Sequence, residues 1–142
     1  MSDLVKYFVE DLAPGQSASL KKTVSERDIE LFAEVTGDSN PLHLEEEYAS
    51  TTVFEGRIAH GMMTAGIISA VLGTELPGPG AIYMSQNLKF RAPVRIGDTI
   101  QASVTVEDVI VEKKRVKLQC VCKVGDTVVM DGEALMMVPA RG

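Results

Sequence analysis

The amino-acid sequence predicts an α+β domain whose helices precede the main sheet. Two observations support this: residues 60–72 are apolar on every side, and four segments that alternate apolar and polar residues follow them. Because the connections between these segments are short, the strands should pair antiparallel in a twisted sheet whose apolar face curls around the helix. The same order of elements excludes an alternating βαβ nucleotide-binding fold.

The first third of the chain is polar and rich in turns. A short alternating stretch over residues 17–24 predicts an edge strand. Ser25 and Asp28 have the spacing of a capping box, which predicts a helix that continues until Gly37 stops it. A second short helix is expected over residues 45–49, and its consecutive glutamates are read as a solvated face.

The second half supplies the sheet. The apolar helix is expected to be enclosed by protein on all sides, because it has no polar face. A stiff Pro-Gly-Pro-Gly connection at residues 77–80 leads from it to the strands. The strands are predicted at residues 82–90, 100–107, 116–124 and 128–138, with a tight turn at Gly125-Asp126 before the last one.

Length and composition limit the classes of protein. The chain has 142 residues, which is room for one domain over residues 1–142. Its net charge of −6 has the wrong sign for a protein that binds nucleic acid phosphates, and an aromatic content of 5% without tryptophan argues against base-stacking surfaces. We therefore expect no nucleic acid partner.

The sequence also bears on membrane insertion and on the redox state of the two cysteines. The most apolar stretch, residues 62–72, is much shorter than the ~20 residues that a membrane span needs, and residues 1–10 resemble no targeting signal. A cytoplasmic location is expected. Cys120 and Cys122 stand two apart in an alternating segment, where a mutual disulfide would strain the backbone, so reduced thiols are predicted.

Polar groups that could perform chemistry are concentrated between Gly37 and His43. The chain has only two histidines, and His43 shares this segment with Asp38 and Asn40. A purely local interpretation is also open: Asp38 would cap a turn, Asn40 would form an Asx-turn before Pro41, and His43 would cap the next helix.

The segment as a whole resembles the hydratase-2 motif of the (R)-specific enoyl-CoA hydratases, the MaoC-like branch of the hot-dog superfamily. The resemblance continues through FEGRIAHGM, the apolar helix and QNLKFRAPVRIGD, and covers residues 23–134. The matching motif positions are Phe32, Thr36, Gly37, Asp38, Asn40, Pro41, Leu42, His43 and Ala49.

The resemblance implies a fold, an assembly and a reaction. The fold would be a hot dog, a long helix wrapped by a curved antiparallel sheet, and two or more copies would assemble by pairing sheet edges. The reaction would be addition of water across the C2–C3 double bond of a trans-2-enoyl-CoA, which gives the (R)-3-hydroxyacyl-CoA. No metal or redox cofactor is implied. Coenzyme A is counted as part of the substrate.

The resemblance also implies roles for individual residues. Asp38 and His43 would activate the water and supply a proton to C2, with the roles of acid and base left open. The backbone N–H of Gly61, at the start of the apolar helix, would stabilise the thioester oxyanion. Asn40 would help to orient the water or the catalytic pair, and Ser69 would lie near the active site. His60 is expected only to fix the start of the helix.

Three other activities stay open at this point. The chain could be a dehydratase that acts on 3-hydroxyacyl groups on acyl carrier protein, a non-catalytic subunit that binds acyl thioesters, or a thioesterase. The pathway is open as well, since fatty-acid oxidation and the supply of polyhydroxyalkanoate precursors use the same reaction. Lys89, Arg91 and Arg95 are either contacts for the phosphates of coenzyme A or a solvated strand face.

Overall fold

The computed structural model describes residues 4–142 of the chain. A short 3-10 turn at Val9–Asp11 precedes the first strand. The four α-helices are α1 (Glu26–Thr36), α2 (Pro41–Leu44), α3 (Glu46–Ala49) and α4 (Gly61–Thr74). The five strands are β1 (Ser17–Thr23), β2 (Ile82–Phe90), β3 (Thr99–Ile110), β4 (Arg115–Val124) and β5 (Thr127–Met137).

All five strands form one antiparallel sheet in the order β1-β3-β4-β5-β2. The three strands at its centre follow one another in the chain, whereas β1 and β2 occupy the two edges. Helix α4 packs against β1, β3 and β4. The core therefore lies between this helix and one face of the sheet, where alternate residues of β3 and β4 are fully buried.

Most of the predicted elements are found at their expected positions, with two differences in the helices. Residues 41–44 form helix α2, because Pro41 suits the first position of a helix and Asn40 caps it. The expectation that α4 is enclosed on every side is wrong for the single chain. Its buried residues include Ile68 and Leu72, but a stripe of four residues is exposed: Met62, Gly66, Ser69 and Gly73.

The cysteines confirm the prediction of reduced thiols. Cys120 and Cys122 are both free and fully buried in β4. Burial raises the pKa of Cys120 to about 11 and that of Cys122 to about 12, so both keep their protons at neutral pH. Among the described residues, no helix is both long enough and apolar enough to cross a membrane.

Candidate active site

The turn between α1 and α2 places Asp38 at the surface. Gly37 ends α1 in the left-handed conformation, with φ of 79°, and its N–H donates to Ala33 O at 2.8 Å. The hydroxyl of Thr36 donates to Phe32 O at 2.7 Å and accepts from the N–H of Asp38 at 3.1 Å. These bonds determine the direction in which the chain leaves the helix.

Helix α2 then turns His43 inward. The carboxamide oxygen of Asn40 accepts from the N–H of Leu42 at 3.0 Å, which caps the helix. His43 is 8% exposed, and its Nδ1 lies 2.8 Å from the main-chain oxygen of Ile58. Because a carbonyl oxygen only accepts, Nδ1 carries the hydrogen, and Nε2 of the neutral ring keeps a free lone pair.

Burial also keeps His43 in its neutral form. The pKa of His43 lies below its ordinary value, mainly because burial disfavours the charged ring. The bond to Ile58 O and the charge of Asp38 act in the opposite direction, while His60 lowers the pKa further. A neutral imidazole with a free nitrogen is the form that can accept a proton.

The segment that precedes α4 holds the two residues in place through three contacts. Arg57 Nε donates to His43 O at 2.7 Å, and Ile58 O accepts from the His43 ring. His60 Nε2 donates to the main-chain oxygen of Asp38 at 3.0 Å. Residues 57–60 thus position the segment that carries Asp38 and His43.

His60 does not do what the sequence analysis expected. It is the N-cap residue of α4, but its side chain makes no capping hydrogen bond. The ring instead points into the protein, is 2% exposed, and lies between the rings of Phe32 and His43, with centroid distances of 4.7 Å and 4.0 Å. The expectation that it fixes the start of the helix is therefore wrong.

These residues border one cavity of about 470 Å³. Asp38, His43 and Gly61 form part of its wall, and the apolar part of the wall includes Phe54, Ile58, Phe90 and Met130. One oxygen of Asp38, one ring nitrogen of His43 and one of His60 all lie within 4.8 Å of one another. A single water molecule can bridge such a gap, because two hydrogen bonds of about 2.8 Å at a tetrahedral angle span about 4.6 Å.

Gly61 begins α4, so its N–H has no acceptor within the helix. A Cβ at this position would stand 2.6 Å from Cε1 of Phe90, so the ring lies directly over the glycine. The absence of a side chain allows this close approach, and Gly61 lines the cavity.

Two residues that the resemblance assigned to the site do not line the cavity of the single chain. Asn40 is exposed and caps α2, and its main-chain N–H donates to the carboxylate of Asp38 at 3.3 Å. Ser69 lies on the exposed stripe of α4 and does not line the cavity in the single chain. Position along the helix alone could not place it, because which face of α4 is covered depends on packing.

Of Lys89, Arg91 and Arg95, only Arg91 lines the cavity. Its Nη2 lies 3.1 Å from Oδ1 of Asp131. Arg95 donates to the main-chain oxygen of Phe54 and so fixes the loop at the cavity wall. Phe54 and Ile58 also line the cavity, although they were not predicted as site residues. Both lie in the FEGRIAHGM stretch, through which the resemblance to the family continues, but no periodicity distinguishes them.

Asp38, His43 and His60 together offer donor atoms of the kinds that bind metal ions. Two nitrogen donors of one tetrahedral zinc ion stand about 3.4 Å apart, since Zn–N bonds are about 2.0–2.1 Å. The three donor atoms here lie within 4.8 Å of one another, and His60 Nε2 is already bonded to a carbonyl oxygen. A bridging water can span a separation of this size.

Comparison with known proteins identifies the family. The MaoC like domain model matches residues 10–130. The chain is 61% identical over 140 residues to the (R)-specific enoyl-CoA hydratase of Rhodospirillum rubrum, covering 99% of this chain and 97% of that one. It is 58% identical over 137 residues to the 3-hydroxybutyryl-CoA dehydratase of Methylorubrum extorquens, covering 96% and 87%. The unliganded R-hydratase of Pseudomonas aeruginosa aligns with a TM-score of 0.88 at 42% identity, covering 94% and 86%. The sheet and its long helix are thus a hot-dog fold, and the chain belongs to the family of MaoC-like domains.

Proposed function

We propose that this chain is an (R)-specific enoyl-CoA hydratase, a hydro-lyase that adds water to the C2–C3 double bond of a trans-2-enoyl-CoA. The product is the (R)-3-hydroxyacyl-CoA, and the reverse reaction is its dehydration. The names of its relatives from Rhodospirillum rubrum and Methylorubrum extorquens describe these two directions of one reaction. The observation that supports the assignment most directly is the grouping of Asp38, His43 and Gly61 around one cavity.

In this proposal, Asp38 and His43 hold the reacting water between them. Water attacks C3 only if a base takes one of its protons as the new C–O bond forms. Neutral His43 accepts that proton at Nε2, while the carboxylate of Asp38 accepts a hydrogen bond from the other hydrogen. The imidazolium of His43 then gives its proton to C2, so the pair returns to its starting state.

Gly61 meets the second requirement of the reaction. Attack at C3 pushes electrons through C2 to the thioester carbonyl, whose oxygen becomes negative. The N–H of Gly61 donates to that oxygen, and the positive end of the α4 dipole adds to the stabilisation. The ring of Phe90 over Gly61 forms the apolar side of this subsite.

Hydration of crotonyl-CoA tests the proposal. We expect the wild-type protein to remove the enoyl-thioester absorbance, and Asp38→Asn and His43→Ala to lower kcat at least about 100-fold, the usual scale of a lost acid or base. Ser39→Ala changes an exposed neighbour in the same turn and should keep the wild-type rate. An inactive wild type, or full activity of both site variants, would refute the proposal.

Product analysis separates the alternatives. An (S)-specific 3-hydroxyacyl-CoA dehydrogenase should not oxidise the product, whereas an (R)-specific one should. Parallel assays with crotonyl groups on coenzyme A and on acyl carrier protein distinguish the hydratase from a carrier-protein dehydratase. Release of free thiol would indicate a thioesterase.

The proposed assembly is a homodimer that pairs the β2 edges of two copies. Strand β2 is the last strand of the sheet, so its outer edge has no paired strand among residues 4–142. Its large apolar residues are exposed, with Ile82 at 58% and Met84 at 43%. Pairing of this edge with that of a second copy would remove the unpaired strand edge and its apolar side chains from water.

Two expectations stay predictions. A cytoplasmic location is checked by fractionation of cells that express the tagged chain. A single domain over residues 1–142 is checked by one cooperative unfolding transition that is the same by two spectroscopic probes.

A further inference from the structure

His60 is a buried polar residue that the proposed reaction leaves without a role. Its Nε2 faces the main-chain oxygen of Asp38 at 3.0 Å, and a carbonyl oxygen only accepts, so the hydrogen of the neutral ring is on Nε2. Nδ1 then carries a lone pair. Within residues 4–142, this buried atom has no hydrogen-bond partner.

The unpartnered nitrogen indicates that stability alone does not favour histidine here. A buried acceptor without a donor costs free energy, and a phenylalanine ring would avoid that cost in the same space between Phe32 and His43. The substitution would remove the donor to the main-chain oxygen of Asp38, whose bond to His60 is part-buried. Phenylalanine has no N–H in its side chain, so it cannot donate the hydrogen bond to the main-chain oxygen of Asp38.

That bond acts on the part of the site that is held least. The ring of His43 is buried and bonded to Ile58 O, and its main chain is held by Arg57. Asp38 is exposed, and its carboxylate accepts only a long bond, 3.3 Å, from the N–H of Asn40. The bond from His60 ties the main chain of Asp38 to the start of α4, directly before Gly61, and the His60 ring lies against the ring of His43.

We propose that His60 is a positioning residue, which holds the main chain of Asp38 through Nε2–H so that the carboxylate and His43 share one water. This inference rests on the proposed hydration activity. His60 itself takes no proton from the water and gives none to the substrate. Its contribution is to geometry, where a displacement of about 1 Å can lower a rate about 100-fold.

Two substitutions separate the hydrogen bond from the ring. His60→Phe keeps a ring between Phe32 and His43 and removes the donor. His60→Gln removes the ring and keeps an amide N–H at the reach of Nε2. For each variant, kcat and KM with crotonyl-CoA are measured together with the thermal midpoint of unfolding.

We expect H60F to unfold at or above the wild-type temperature while its kcat falls 10- to 100-fold, with KM within about threefold of the wild type. H60Q should keep kcat within about fivefold. A merely structural role would have the opposite signature, with a lower unfolding temperature and an unchanged kcat in H60F.

Wild-type kcat in H60F would overturn the inference, and so would a loss in H60Q as large as in H60F. If H60F does not fold, the smaller His60→Leu takes its place under the same criteria. An inactive wild type would mean that the proposed function has failed, whereas an active wild type with an active H60F would mean that only the role of His60 has failed.

Discussion

At the scale of single residues, the positions of the motif have local physical reasons. Thr36 and Gly37 end α1 and direct the chain so that Asp38 emerges at the surface. Asn40 caps α2, which carries His43 to a buried position. In the proposed reaction Asp38 and His43 act on the water, and the other residues of the motif place them.

The depressed pKa of His43 gives a prediction about acidity. Burial lowers the pKa of His43, so the neutral base persists at pH values where an ordinary imidazole is protonated. We expect kcat/KM to decline with falling pH only below the ordinary histidine pKa of about 6.5. The measurement is a pH profile of crotonyl-CoA hydration, with the unfolding temperature followed over the same range to exclude acid denaturation. An acid limb at or above the ordinary value would contradict this account.

At the scale of elements, the sheet depends on a glycine in β5 that no turn requires. Gly132 pairs with Cys120 of β4 and Leu88 of β2. A Cβ here would stand 1.9 Å from the main-chain oxygen of Asn87, and that atom belongs to a paired strand that cannot move alone. The approach of β2 to β5 therefore requires this residue to lack a side chain.

Gly132→Ala should be destabilising for that reason. We expect a loss of roughly 1–3 kcal/mol in the free energy of unfolding, the usual cost of a group that packing cannot accommodate. Denaturant titration measures it. Gly73→Ala is the matched control, because a Cβ on that exposed helical glycine meets nothing within 4 Å and alanine favours the helix. Equal stability of G132A and the wild type would show that β2 shifts freely.

At the scale of the whole molecule, exposed apolar surface lies on helix α4 and strand β2. Helix α4 is apolar throughout, yet the stripe that includes Met62 is open, and β2 exposes Tyr83 and Met84. Helix α4 is followed in the chain by β2, after the connection over residues 75–81. An apolar helix stripe and an unpaired strand edge are features that association of two copies can cover.

The proposed dimer predicts a mass of two chains in light scattering after gel filtration. Met84→Glu should shift the mass toward one chain, because it places a charge at the edge where the copies would meet. Val111→Glu is the control: Val111 is 45% exposed, close to the 43% of Met84, but lies at the β3–β4 turn. A monomeric wild type, or equal effects of the two variants, would contradict pairing through β2.

The sequence by itself determined the elements and the short-range part of the site. Alternation over residues 82–138 and the cap at Ser25 depend on neighbours in the chain, so the strands and α1 could be predicted from local patterns. The motif from Phe32 to His43 likewise pointed to Asp38 and His43, because both lie on one short segment. Helix α2 was missed, since a four-residue helix has too few positions to show a period.

Only the tertiary structure decided how distant segments meet. The tautomer of His43 depends on the carbonyl of Ile58, the position of Asp38 depends on His60, and the surface over Gly61 is the ring of Phe90. It also left Asn40 and Ser69 outside the cavity wall. Each of these results depends on which faces pack together. A periodic pattern records that a residue is buried, but it does not record which atom of another segment lies against it.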